Sequence, residues 1–366
     1  MRELRIKKAV KRLEIAIRRA FIASLQLRSH FRSGMKIPPL PLDLSSTPTI
    51  LFLRQDKLGD AIISTPVFIE LYKKYPNGHF IMLLGEKNQG IADLLPIPCE
   101  IIVYRKKPLA DIAMLRKLRK RKIDVLIDLM DNPSSTSSIL TAAISAKYSI
   151  GINKENASSY NITVPLVDRS KYHIARRIAE LLRPFGIDPD TIELRARLHN
   201  VSGEKVIGRL GLIISAGVPE RQLLPEINSE IAKGVLQNPN INQVMLFFHP
   251  KDRKEAESIQ RETGNSQVVL APLTHTFHEY ASLLKTCEYV ITPDTSAVHL
   301  CSAFNIPAVV IASPFPPTLH YWTPIGVPYE MITQEIRTLN YATVLDHLQL
   351  LIQKVALNIP EAMTAA

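Results

Sequence analysis

The chain has 366 residues, of which 46% are hydrophobic and 22% are charged. This is ordinary globular usage, which excludes disordered, collagen-like and coiled-coil chains, and the length favours two domains. Lys and Arg total 45 against 34 Asp and Glu, a formal net charge of +11 that raises the question of an acidic partner.

The positive charge is concentrated at the start of the chain. Residues 1–36 contain eleven Lys and Arg but only two Glu, which leaves a net charge of +2 for the other 330 residues. Proteins that cover nucleic acid usually carry basic residues over the folded body, so we expect no nucleic-acid partner.

Apolar residues in this basic arm recur at helical spacing, at Ile6, Val10, Leu13, Ile17 and Phe21. The pattern predicts a basic amphipathic helix that rests on an anionic membrane surface through residues 1–32. A helix packed on its own domain, or one that binds a partner protein, is the alternative. The apolar run at 21–27 is too short for a spanning helix and lacks a cleavage site, so we expect no signal peptide.

After a Pro- and Ser-rich linker at 33–48, short β-branched runs alternate with longer amphipathic segments. We predict strands at 49–54, 80–84, 100–104 and 124–128, and helices at roughly 60–75, 107–121 and 135–145. Repeated β-α units with strands buried on both faces predict a doubly wound parallel sheet.

A second series follows a polar stretch near 188–207. We predict strands at 211–215, 243–248, 268–270, 289–292 and 308–312, and helices at about 226–237, 251–263, 277–286, 295–304 and 341–356. Two Rossmann-like halves place a cleft between the carboxyl ends of two sheets, which is the default ligand site. We therefore divide the chain into an arm and linker (1–46), a first domain (47–200), a second domain (201–340) and a C-terminal helix and tail (341–366).

The first candidate site is the segment LRQDKLGDAIISTP at 53–66. A strand enters a short turn in which Gly59 permits close backbone approach, and Asp60 follows where a helix begins. Helix amides favour the ionised carboxylate, so Asp60 is a candidate acceptor of a hydroxyl proton. The alternative is that Asp60 only caps the helix.

The second candidate site is VITPDTSAVHL at 290–300, where a strand passes through Asp294, Thr295 and Ser296 into a helix. The free amides of a helix start bind phosphate oxygens, the two hydroxyls add donors, and His299 lies one turn further on. Helix capping with an interior histidine is the alternative.

Other chemistry-bearing patterns are absent from the sequence. There is no GxGxxG, Walker A, HExxH or GxSxG motif, and the cysteines Cys99, Cys287 and Cys301 lack metal-ligand spacing. We expect reduced structural thiols, a reducing compartment and no metal site.

Together the two segments carry a family resemblance. RQDKLGDAIISTP with LYKKYP, and PDTSAVHLCSAFNIPAVVIASPF with YWTPIG, resemble the signatures of glycosyltransferase family 9, the ADP-heptose:lipopolysaccharide heptosyltransferases. DVLIDLMDN at 124–132, HIARRIAELLRPFGI at 173–187 and GLIISAG at 211–217 extend it over residues 49 to about 335. It implies an α/β fold of GT-B type, with two Rossmann-like domains facing a central cleft, the acceptor in the first and the nucleotide-sugar donor in the second.

The resemblance also implies residue roles. The family's catalytic base matches Asp60, and we place Gly59 and Lys57 in the turn that faces the acceptor. The family's D-T-G-x-x-H donor motif matches Asp294, Thr295, Ser296 and His299, with Ser296 in place of glycine.

The family's K-x-W-P segment falls on residues 221–225 and departs from the pattern. Gln222 stands at the lysine and Leu224 at the tryptophan, while Arg221, one position away, is the candidate for the missing positive charge. We therefore assign Arg221 and Gln222 to donor binding.

The implied activity is inverting, metal-independent transfer of heptose or a related sugar from ADP-heptose, without a cofactor, to a lipid-linked oligosaccharide of the lipopolysaccharide inner core. The implied location is cytoplasmic, peripheral on the inner face of the bacterial inner membrane. Because Ser296 and the 221–225 segment depart from the family, a non-catalytic member that binds nucleotide sugar or glycolipid is the alternative.

The basic run at 116–122 faces either the acceptor's anionic groups or only solvent.

Overall fold

The computed structural model describes residues 38–314 and 322–357. The predicted basic helix at 1–32 lies outside the described residues, as does the end of the predicted C-terminal tail. Within the described ranges, no helix is both long enough and apolar enough to cross a bilayer.

The first domain is a six-stranded parallel sheet with the strand order β3-β2-β1-β4-β5-β6. Its strands are β1 (Thr49–Arg54), β2 (His79–Gly85), β3 (Glu100–Tyr104), β4 (Val125–Asp128), β5 (Tyr148–Ile152) and β6 (Ile162–Val164). Its helices are α1 (Leu58–Ile63), α2 (Thr65–Lys74), α3 (Pro108–Arg119), α4 (Ser135–Ile144) and α5 (Ile174–Ala179).

The second domain repeats this arrangement, with the strand order β12-β11-β10-β7-β8-β9. Its strands are β7 (Arg209–Ile213), β8 (Gln243–Phe247), β9 (Val268–Leu270), β10 (Tyr289–Pro293), β11 (Ala308–Ala312) and β12 (Tyr329–Thr333). Its helices are α6 (Pro225–Val235), α7 (Arg253–Thr263), α8 (Phe277–Lys285), α9 (Ser296–Phe304) and α10 (Tyr341–Ala356).

The strand order reverses between β1 and β4 in the first sheet, and between β7 and β10 in the second. Ligands of doubly wound folds bind at such reversals, beyond the carboxyl ends of the strands. Both candidate segments follow strands that flank a reversal, β1 and β10. The predicted pair of Rossmann-like domains is confirmed.

Burial follows the position of each strand in its sheet. The central strand β1 contains four fully buried hydrophobic residues, which pack on helices from both faces. All five residues of β3 are only partly buried. The prediction that the strands are buried on both faces is therefore wrong for β3, because an edge strand has a neighbour on one side only.

Several elements differ from their predictions. The predicted helix at 60–75 is two helices, α1 and α2, which meet at Ser64. Pro66 lies in the first turn of α2 and has no N–H to continue the hydrogen-bond ladder of α1. Strands β5, β6 and β12 were not predicted, because each is short and carries glycine or polar residues that weaken the pattern.

The two domains meet along the chain at residues 199–206. The backbone N–H of Arg197 donates to Thr65 Oγ1 in the first domain, at 3.0 Å. The N–H of Val206 donates to the carbonyl of Thr286 in the second domain, at 2.9 Å. The final helix α10 buries Val344 in the core of the second domain.

Candidate active site

A buried arginine holds the first candidate segment in place. Arg54 ends β1 and is fully buried. Its Nε donates to the backbone carbonyl of Asp60 at 2.9 Å, and its Nη1 donates to the carbonyl of Leu129, beyond β4, at 2.7 Å. Its Nη2 lies 3.7 Å from Asp60 Oδ1. Arg54 thus fixes the start of α1 against the neighbouring strand and sets a cation beside the Asp60 carboxylate.

The Asp60 carboxyl group lies in a largely desolvated position, since the residue is 9% exposed. Burial raises the pKa of Asp60 to about 6, with Asp56 and Asp131 adding to the rise and Arg54 and Lys57 opposing it. A carboxylate with such a pKa is ionised near neutral pH, yet it is a stronger base than an ordinary aspartate.

The structure also decides the capping alternative for Asp60. Lys57 occupies the N-cap position of α1, and no side chain caps this helix. Asp60 is the third helical residue, so its carboxylate is not used as a cap. Gly59, predicted to lie in a turn before the helix, is instead the second helical residue of α1.

The second segment forms the start of α9. Thr295 is the N-cap residue, and its Oγ1 accepts from the N–H of Ala297 at 3.3 Å. Ser296 is the first helical residue, so its side chain stands at the positive end of the helix dipole. The predicted helix start is therefore present, and Thr295 caps it while His299 is buried one turn further on, as the capping alternative expected.

Arg221, rather than Gln222, reaches the donor motif. Arg221 Nη1 lies 2.9 Å from Asp294 Oδ2 and donates to the Asp294 carbonyl at 2.8 Å. Burial raises the pKa of Asp294, and the cations of Arg221 and Lys57 oppose this rise. Gln222 Nε2 instead donates to Glu255 in α7 at 3.1 Å. Arg221, one position before the residue that aligns with the family's lysine, thus places its positive charge at the N-terminal end of α9.

His299 joins the donor motif to the turn of the first domain. A Cβ atom built on Gly59 would lie 2.8 Å from His299 Cδ2, so only glycine fits this approach without displacing the ring. His299 is 5% exposed, and its ring centroid lies 5.9 Å from that of Trp322. Burial lowers the pKa of His299 to about 3, with further lowering by His173 and Arg54. The imidazole is therefore neutral near pH 7.

A second histidine lies close to the same contact. His173 Nδ1 accepts from the N–H of Ala175 at 3.1 Å, and its Nε2 lies 3.0 Å from the carbonyl of Thr323. Burial lowers the pKa of His173 to about 4, so the ring is neutral near pH 7 and its Nε2–H donates to the Thr323 carbonyl. It connects α5 of the first domain to the YWTPIG segment of the second.

The two predicted sites are therefore brought together. Asp60 and Gly59 come from the first domain, and His299 and Asp294 come from the second. Lys57 opposes the rise in the pKa of both aspartates, so one cation acts on both motifs. The electrostatic environment of the two motifs is shared.

Beside Arg54, a buried polar network orders the loops that follow β4 and β5. Lys154 Nζ lies 3.1 Å from Asp128 Oδ2, and the Tyr160 hydroxyl donates to the same carboxylate. Ser137 Oγ donates to Asp128 Oδ1 at 3.1 Å and accepts from Gln55 at 3.0 Å. This network ties the turn after β1 to the DVLIDLMDN segment.

Sequence reasoning assigned no role to Arg54, His173 or Trp322. A basic residue at the end of a buried strand was a usable signal for Arg54, because buried arginines require partners. His173 and Trp322 stood within quoted family segments, but nothing in their spacing shows that they meet at His299. Within residues 38–314 and 322–357, no three His, Cys, Asp or Glu side chains cluster as a metal site.

Comparison with known proteins identifies the family. The model of glycosyltransferase family 9 (heptosyltransferase) matches residues 112–346, which is more than half of the chain. The chain belongs to glycosyltransferase family 9.

Solved structures share the fold at low sequence identity. A family 9 glycosyltransferase from Veillonella parvula matches with a TM-score of 0.69 and 17% identity, over 85% of this chain and all of that one. The Escherichia coli heptosyltransferase WaaC with ADP gives 0.68 and 16%, over 83% and 99% of the two chains. The E. coli ADP-heptose lipopolysaccharide heptosyltransferase II gives 0.66 and 16%, over 84% and 99%.

Proposed function

We propose that this glycosyltransferase transfers heptose or a related sugar, with inversion, from ADP-heptose to a lipid-linked saccharide of the lipopolysaccharide inner core. The observation that carries the proposal is the close approach of Gly59, the residue before Asp60, to His299 of the donor motif across the domain contact. The names of the two E. coli relatives, one with ADP and one an ADP-heptose enzyme, support the choice of donor.

Asp60 is the proposed general base. An acceptor hydroxyl bonded to the Asp60 carboxylate attacks the anomeric carbon of the donor from the face opposite the diphosphate. Asp60 takes the hydroxyl proton as the new C–O bond forms, the bond to the diphosphate breaks, and the anomeric centre is inverted. Arg54 holds Asp60 for this step through the backbone carbonyl as well as the side chain.

Charge that develops on the leaving diphosphate is met by two features of the second domain. The positive end of the α9 dipole lies at Ser296, where Thr295 already caps the N–H of Ala297, and Arg221 lies 2.9 Å from Asp294 at the same helix end. A guanidinium binds diphosphate oxygens through paired hydrogen bonds. We infer that these groups stabilise the leaving group without a divalent ion.

The direct test is binding followed by turnover. We expect calorimetry to detect ADP binding that is tighter than UDP or GDP binding and unchanged by Mg²⁺. Asp60→Asn should bind ADP like the wild type but transfer sugar to an inner-core acceptor about 10²–10⁴-fold more slowly. Preference for UDP or GDP would replace the donor, and wild-type turnover by Asp60→Asn would remove the assigned base.

We further propose that the enzyme works at the cytoplasmic face of the inner membrane, held there by residues 1–32. The concentration of basic residues in that arm supports this location. Deleting residues 1–32 should weaken binding to anionic vesicles while the circular dichroism of the folded body is retained. Equal vesicle binding by both proteins would contradict the proposal.

The second candidate function is donor binding without turnover. The contact of Gln222 with Glu255, away from the donor motif, favours it, because the aligned lysine has no direct replacement. The position of Arg221 favours the enzyme instead. Product formed from any donor and acceptor pair would eliminate the non-catalytic reading.

A further inference from the structure

Helix α3 of the first domain presents an apolar tip on an otherwise basic surface. Leu109 is 87% exposed and Ile112 is 46% exposed, and they lie one turn apart at the start of the helix. Contiguous exposed apolar side chains rimmed by polar or charged residues are typical of protein or membrane contact sites.

The face of α3 opposite Leu109 and Ile112 packs on the sheet of the first domain. Leu118 is fully buried, and Met114 and Leu115 pack beside it on the sheet. Leu109, Ile112, Arg116 and Lys120 follow at spacings of three and four residues, which places them along the other face of the helix. The exposed face is therefore not needed to hold α3 on its own domain.

Cations surround the apolar tip. Residues 105–122 contain nine Lys and Arg and a single carboxylate, Asp111. Two of these cations have partners, because Arg105 pairs with Glu86 at 3.5 Å and Arg121 bonds to Glu100 at 2.9 Å. Among the described residues, the other cations make no ion pair within 4 Å.

The fold places this surface at the same sheet edge as the candidate active site. Every strand of the first sheet is parallel, so α3 starts beyond the carboxyl end of β3, two strands from β1. Leu109, at the start of α3, therefore lies at the Asp60 end of the sheet and about 10 Å in strand spacing from β1, whereas Arg116 and Lys120 follow toward the other end of the helix.

We propose that Lys106, Lys107, Leu109, Ile112, Arg116 and Lys120, here called the α3 surface, dock the first domain on an anionic bilayer. The apolar pair enters the boundary between headgroups and acyl chains, and the cations bind lipid phosphates around it. We choose an anionic bilayer as the partner because the cations of the α3 surface require a negatively charged surface opposite all of them. This inference concerns binding alone and holds whatever sugar the enzyme transfers.

The test compares full-length variants by flotation with vesicles of equimolar phosphatidylcholine and phosphatidylglycerol. Leu109→Ser/Ile112→Ser should lower the partition coefficient at least about tenfold, since each CH₂ withdrawn from the bilayer is worth about fourfold. Arg116→Gln/Lys120→Gln should lower it about tenfold or more, because each cation near an anionic surface contributes about fivefold.

Matched control variants distinguish an effect of the α3 surface from the general effect of losing exposed apolar side chains or positive charge. Ile207 and Leu350 are 70% and 48% exposed and lie in the second domain, so Ile207→Ser/Leu350→Ser should bind vesicles like the wild type. Lys205→Gln/Lys254→Gln is the corresponding charge control. All variants keep residues 1–36, so the differences report the α3 surface alone.

The proposal is overturned if the Leu109→Ser/Ile112→Ser protein binds anionic vesicles as the control does, or if wild-type binding is equal on pure phosphatidylcholine. It is also overturned if sedimentation shows a wild-type dimer that these two substitutions dissociate, because the face is then an interface between copies. Unchanged circular dichroism and thermal unfolding establish that each variant is folded.

Discussion

Asp60→Asn is predicted to make the protein more stable near neutral pH while removing its activity. The pKa of Asp60 is raised from 3.8 to about 6, chiefly by burial. The folded state therefore binds the proton more tightly than the unfolded state, and the folding free energy worsens as pH rises through this interval. Two pKa units correspond to about 3 kcal/mol.

The size of the effect depends on the pH of the comparison. At about pH 4.5 the buried Asp60 carboxylate already lowers the free energy of unfolding of the wild type by about 1 kcal/mol. The stability advantage of Asp60→Asn over the wild type should therefore grow by about 2 kcal/mol between about pH 4.5 and about pH 7.5. Urea unfolding of both proteins at the two pH values measures this growth. Other titrating groups, including the two buried histidines, are common to both proteins and cancel in the difference.

Asp93→Asn provides the surface control, because Asp93 is exposed. Its effect on the free energy of unfolding should be small at both pH values. The reasoning is refuted if the stability difference between Asp60→Asn and the wild type is the same at both pH values, or if it shrinks as pH rises. Either result means that burial does not dominate the environment of this carboxylate.

Three further substitutions test the contacts around the site. Arg54→Gln removes a cation that opposes the rise in the pKa of Asp60. The pH at which the transfer rate falls on the acidic side should therefore increase by at least about one unit. An unchanged pH profile would contradict this. Arg221→Ala should weaken ADP binding in calorimetry at least about tenfold, with Arg221→Lys less affected, whereas equal losses would mean that charge is not what Arg221 supplies. Gly59→Ala places a Cβ 2.8 Å from His299 Cδ2 and should cost about 1–3 kcal/mol in thermal unfolding together with transfer activity; unchanged transfer would show that this contact opens freely.

The predictable part of the fold was the part with strong local patterns. The strand at 49–54 and the helix at 341–356 were predicted with the bounds that the structure has, because each combines uniform apolar periodicity with clear flanking residues. Strand β6 has three residues and β5 contains Gly151, so neither carries a pattern that outweighs a loop. Their conformation depends on pairing with β4 and with each other.

The predictable part of the site was its backbone placement. Asp60 and Asp294 follow strands at the two reversals of strand order, and the topology alone brings such positions to a common cleft. The hydrogen bonds around them join distant segments. Arg54 bonds to Leu129, and Gln222 bonds to Glu255, so these contacts are fixed only by the packed structure.

The two titratable groups at the domain contact differ in what they can do near pH 7. His299 has a pKa of about 3, so near pH 7 its ring lacks the acidic proton of an imidazolium and is a weak base. Asp60, with a pKa of about 6, is ionised and is the stronger base of the pair.

This difference predicts a split in steady-state kinetics. Asp60→Asn should lower kcat by about 10²–10⁴-fold, the usual contribution of a general base. His299→Gln should act mainly on the KM for the donor, because a neutral ring at the first turn of α9 positions the donor without exchanging protons. A loss of kcat in His299→Gln as large as that in Asp60→Asn would contradict this split, because it would show that His299 stabilises the transition state rather than only binding the donor.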